Sequence, residues 1–136
     1  MKKKIVIALA LASSGIVSAS ECYNLRHEGQ YSSEVGSKYA ELGKKLYMLM
    51  VEKSKAQASR SEVCVIAIDS RLSYSQAVHA MGYARDKFLA AYETCDHPED
   101  DQSLENYSET KENHDILLQN LASMDEIISK NKCSND

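Results

Sequence analysis

Tryptophan is absent, phenylalanine occurs once, and the only proline is Pro98. Glycine is scarce too, at five residues, one of them Gly15 near the N-terminus. These scarcities exclude a Pro-rich or Gly/Ser-rich linker and leave few strand and turn signals. No apolar run reaches the roughly 20 residues that a membrane-spanning helix needs. No pair of cysteines has C-x-x-C or C-x-x-C-H spacing, so zinc, haem attachment and dithiol redox chemistry find no motif. No histidine has the i, i+4 partner of a helical zinc site, and no serine sits in a nucleophile elbow. The S-x-x-K spacings at Ser108/Lys111 and Ser129/Lys132 lack the companion motifs of a serine acylase. Basic residues are the minority, 16 against 20 acidic, for a formal charge of −4.

What is present begins with an export signal. Lys2, Lys3 and Lys4 form a positive start, Ile5 to Val17 is apolar, and Val17-Ser18-Ala19 has the small residues of a cleavage site. Cys22 follows Glu21, where lipid attachment wants a small residue. The expectation is a cleaved secretory signal over residues 1–19, a single helical domain over residues 20–136, and a periplasmic location. Loss of the three lysines takes the formal charge from −4 to −7. So acidic a surface argues against nucleic acid and anionic membranes, and suits a basic protein partner.

Cys22, Cys64, Cys95 and Cys133 then read as two disulfides of an exported domain. The rest of the chain reads as helix. Val35, Tyr39, Leu42, Leu46 and Leu49 recur at +4, +3, +4, +3, which predicts a first helix from about residue 33 to 56 with this stripe facing the core. Ser32 or Ser33 would cap it. Ser59-x-x-Glu62 has capping-box form and opens a short second helix through the apolar run from Val63 to Ile68. This run faces either the core or a dimer interface. Ser73-x-x-Gln76 suggests a fresh helix or a bend, with Ala77, Met81, Ala84, Phe88, Ala91 and Cys95 on one stripe. Tyr107, Thr110, His114, Leu117, Leu121, Met124 and Ile128 form the stripe of the last helix, with Leu118 and Ile127 beside it.

The expected fold is thus an all-α, disulfide-stapled bundle of three long helices and one short one. Short connections make neighbouring helices antiparallel. Cys22 and Cys95 then fall at one end of the bundle and Cys64 and Cys133 at the other, which favours Cys22–Cys95 and Cys64–Cys133 among three pairings. Each bridge closes a loop worth about 4 kcal/mol in the chain-entropy model.

The candidate contact residues are Asp96, His97, Glu99, Asp100 and Asp101, an acidic loop suited to a basic active site. Tyr83 and Tyr92 join them, within a wider set of helix-borne tyrosines that includes Tyr31 and Tyr47. His114 stands out on an apolar stripe, and Gly36, Ala40 and Gly43 form a small-residue strip able to admit a close helix from this chain or a second copy. No metal or cofactor is expected. The organisation points to an exported, non-enzymatic protein-binding module. Bacterial chains of this kind serve as immunity proteins against type VI secretion effectors and other toxins, or as inhibitors of cell-wall hydrolases. The alternatives are a periplasmic ligand or metal carrier, a chaperone, or an envelope assembly factor, with homodimerisation open.

Overall fold

A computed structural model describes residues 18–95 and 99–133, with side chains in the last segment from Asp101 onward. Three helices make up the described chain: α1 (Ala19–Lys55), α2 (Arg60–Thr94) and α3 (Glu99–Lys130). They run up, down and up. The central α2 packs along both others, while α1 and α3 barely meet.

The helix starts explain two differences from the expected elements. α1 begins fourteen residues before Ser33, because Ser18 and Glu21 form a reciprocal capping box. Ser32 and Ser33 are interior positions. The expected short helix does not exist as a separate element. Ser59 caps α2 by accepting from the Glu62 N–H, but the second candidate start fails. The Ser73 hydroxyl donates to the carbonyl of Asp69, four residues back, a bond made inside a helix rather than at its start. No glycine or proline interrupts residues 60–81, so α2 runs straight through. The Val63–Ile68 run faces both ways: Ala67 is buried and Val65 is 56% exposed.

α1 and α3 both end in Schellman motifs. Gln57 (φ 57°) and Lys132 (φ 50°) adopt the left-handed conformation without being glycine. The Ala58 N–H reaches Lys53 O, and the Cys133 N–H reaches Ile128 O.

The α1–α2 seam is built on a heptad of small residues. Cys22, Gly29, Gly36, Gly43 and Met50 are the buried positions of α1, seven residues apart. They meet Cys95, Phe88, Met81, Tyr74 and Ala67 in antiparallel order. A Cβ on Gly29 would lie 2.9 Å from the Phe88 ring, and one on Gly43 3.0 Å from the Tyr74 ring. Large α2 knobs thus seat directly on glycine backbone. Ser70 adds a buried bond by donating to Gly43 O at 2.8 Å.

This seam corrects the core stripe expected on α1. Tyr39 still packs against the core and Val35 and Leu46 are half-buried, but none of the five is fully buried, and Leu42 stays 45% and Leu49 38% exposed. The α2 ridge is already bulky, so only the glycine row of α1 can approach it. The stripes expected on α2 and α3 are buried or half-buried throughout. The α3 seam carries Ser103, Thr110, Leu117 and Met124, again seven apart. Two disulfides close the ends: Cys22–Cys95 joins α1 to α2, and Cys64–Cys133 joins α2 to the residue after α3. Arg71 and Asp125 pair across α2 and α3, and Arg60 donates to Lys132 O.

Candidate functional site

Helix geometry divides α1 into two flanks on either side of its buried glycine row. Ser37, Ala40 and Lys44 turn toward α3, and the row Val35, Tyr39, Leu42, Leu46, Leu49 turns the other way. Val35 and Tyr39 border a shallow depression with Gln76, His79 and Ala80 of α2. The stripe is therefore continuous with the outer surface of α2, on the side away from α3.

An ion pair brackets each end of that stripe. Lys53 meets Glu62 at 2.7 Å, and this carboxylate raises the Lys53 pKa above its ordinary value. At the other end Lys87 meets Glu28 at 2.5 Å, and the Tyr83 hydroxyl donates to the same carboxylate at 3.1 Å. The Lys87 ammonium, then the Tyr83 hydroxyl, hold the Glu28 carboxyl below its usual range, and Glu28 raises Lys87 in return. The Lys87 ammonium also lies 5.0 Å from the centre of the Tyr83 ring. Between these bridges lie about seven helical turns of α1, on which Leu42 and Leu49 are open to solvent and Val35, Tyr39 and Leu46 half-buried.

Of the residues expected to form a contact site, the described tyrosines do not converge. Tyr83 and Tyr92 are both exposed, but nine residues of helix put them on opposite sides of α2. Tyr31 and Tyr47 are exposed as well, sixteen residues apart on α1. Asp96 and His97, and the side chains of Glu99 and Asp100, lie outside the described residues. Asp101 is exposed in the first turn of α3. Cys95, the last described residue before the acidic segment, is bonded to Cys22, which lies thirteen residues, about 20 Å, along α1 from Val35.

His114 is largely buried at the α2–α3 contact, beside Gly82, and its Nδ1 has no hydrogen-bond partner. His27 stacks on Tyr23 with ring centres 5.7 Å apart, and His79 is exposed. Among the described residues no group of three His, Cys, Asp or Glu side chains is placed to hold a metal ion, and no described helix is long and apolar enough to cross a membrane.

A second concavity lies on the opposite flank of α1. Where α1 and α3 part over α2, a groove of about 310 Å³ opens, floored by Tyr74, Met81 and Leu117. Sequence reasoning missed both surfaces. The signal for the first was the mismatch between the leucine stripe and the neighbouring glycine row. Comparison with family models, curated proteins and solved structures finds no match for the chain.

Proposed function

We propose that this chain is an exported, periplasmic protein-binding module that acts as an inhibitor or immunity protein, occluding a toxin or a cell-wall-acting enzyme. One observation carries the reading: the core-like stripe Val35–Tyr39–Leu42–Leu46–Leu49 lies beside a buried glycine row, with Leu42 and Leu49 exposed and the other three only half-buried. A contiguous apolar row on a soluble domain marks a surface that another molecule covers. The disulfides support the same reading in two ways. They suggest an oxidising compartment outside the cytoplasm. They also hold α1 and α2 in one geometry, which lowers the ordering cost of binding. The acidic segment 96–101 contributes to encounter with a basic partner.

The test uses oxidised protein as bait for periplasmic and secreted proteins of its source, beside a Leu42→Asp/Leu49→Asp bait. Both leucines are partly exposed, so circular dichroism and melting should match the parent. The expected result is a stoichiometric enzyme partner, silenced on binding, whose affinity falls about a hundredfold or more with the double variant. Equal binding to both baits, or no enzyme partner at all, overturns the reading.

A further inference from the structure

The groove between α1 and α3 shows an arrangement that the protein-facing stripe does not use. Tyr74 is only 6% exposed, and its ring lies flat on Gly43. In the neighbouring layers of the same seam the equivalent knobs are Met81 and Phe88, which carry no hydroxyl. The Tyr74 hydroxyl meets no donor or acceptor among the described residues. Burial, with Tyr47 nearby, pushes it above its ordinary value of 10.0, so at neutral pH it is a proton donor.

The groove walls repeat the pattern. Lys44 on α1, and Asn113 and Asn120 one heptad apart on α3, line the same space. None of the three has an ion pair or hydrogen bond among the described residues. On the other flank of α1, Lys53 and Glu28 each pair with a side chain of α2. Between the polar groups the surface is apolar, from Ala40, Met81, Ile116 and Leu117. An apolar slot with a few convergent donors is the usual form of a small-molecule site, and 310 Å³ is at the lower end of such sites.

The donor set selects the ligand. A tyrosine hydroxyl, an ammonium and two amide NH₂ groups all offer hydrogens, and only Glu41 on the α1 wall is a pure acceptor. We propose that the α1–α3 groove binds a small amphipathic carboxylate. Its apolar body, about eight to ten carbons at interior packing density, lies over Met81 and Leu117, and its carboxylate meets Lys44 and the Tyr74 hydroxyl. Glu41, one turn before Lys44, limits affinity by repulsion. This site lies on the other flank of α1 from the leucine stripe, so it stands or falls separately from the protein-binding reading.

The experiment is an NMR titration of the isotope-labelled, oxidised protein with sodium decanoate, beside decanol as the uncharged control. The expected result is saturable one-to-one binding, with shifts confined to residues 37–44, 74–81 and 113–120. Lys44→Met weakens decanoate about tenfold, as loss of a charge-assisted contact should, and leaves decanol unchanged. Tyr74→Phe keeps the ring on Gly43 and weakens decanoate about threefold to tenfold. Glu41→Gln tightens it. Absence of saturable shifts at millimolar decanoate overturns the proposal. So do shifts centred outside the groove, or a Lys44→Met variant that binds decanoate as the parent does.

Discussion

The glycines of α1 are the residues on which the fold turns, because each accepts a bulky side chain that a Cβ would displace. Gly29 is the clearest case. Three atoms of the Phe88 ring lie 2.9 to 3.0 Å from the position of an added Cβ, and Phe88 is fully buried and has nowhere to move. Overpacking of this kind costs about 1–3 kcal/mol, while alanine regains about 1 kcal/mol of helix propensity. Gly29→Ala should therefore lose up to about 2 kcal/mol in urea denaturation, and a Gly29→Ala/Phe88→Leu pair should recover part of that. Gln57 behaves in the opposite sense. It holds a left-handed φ of 57° as the residue that ends α1, so Gln57→Gly should gain about 0.5–1 kcal/mol in the same assay.

Charge acts at this scale as well. Glu28 is held below its ordinary 4.5 by Lys87 and Tyr83, so its contribution to stability is full above 4.5 and is lost as pH falls through the lowered value. Lys87 is raised above 10.5 by Glu28, so its contribution is full below 10.5 and is lost as pH rises through the raised value. The difference in denaturation midpoint between the parent and Glu28→Gln should be constant from about pH 6 to 9 and shrink toward zero in acid. Both groups are exposed, so added salt should shrink it too.

At the scale of the element, caps and stripes decide what could be read in advance. The α2 and α3 stripes were legible because large apolar residues hold several of their buried positions: Met81, Phe88, Leu117 and Met124 announce themselves at helical spacing. The α1 seam was legible only in part: Gly36 and Gly43 stood in the small-residue strip and do admit α2, but glycine carries no hydrophobic signal to extend the row to Gly29. A row of glycines seven apart reads as weakness in a helix, and the neighbouring leucines draw the eye to the wrong face. The capping box at Ser59 was legible, but the same pattern at Ser73 misled, since a serine inside a helix can donate to the carbonyl four residues back and leave the helix intact. Residue identity alone does not distinguish the two. Substitution does: Ser59→Ala should cost about 1 kcal/mol by loss of a cap, whereas Ser32→Ala and Ser33→Ala, interior to α1, should be neutral or slightly stabilising. Guanidinium denaturation of the three variants would check this. The leucine stripe was visible from the outset, though its destination was not, because only the packed structure shows that the glycine row has taken the core position.

For the molecule as a whole, the two disulfides dominate stability. They close loops with sequence separations of 73 and 69 residues, each worth about 4 kcal/mol by loop entropy. That is comparable to the total stability of a small domain. Reduction should therefore leave the protein largely unfolded at 37 °C by circular dichroism, and a Cys22→Ala/Cys95→Ala variant should remain folded with a lower melting point. The bridges lie at opposite ends of α2, about 50 Å apart by helix rise, so their effects should add closely in a double-mutant cycle.

The placement of those two bridges also fixes how the molecule responds to a pull on its ends. Tension applied at the two termini enters at Cys22, crosses to Cys95, returns along α2 to Cys64 and leaves through Cys133. α1 and α3 hang beside this path as slack. Even fully unravelled, the span between Cys22 and Cys133 cannot exceed the length of the 64–95 stretch, about 110 Å, where the reduced chain would reach about 400 Å. The oxidised protein is thus a link of capped length, whose ends stay within about 110 Å even when its helices are lost.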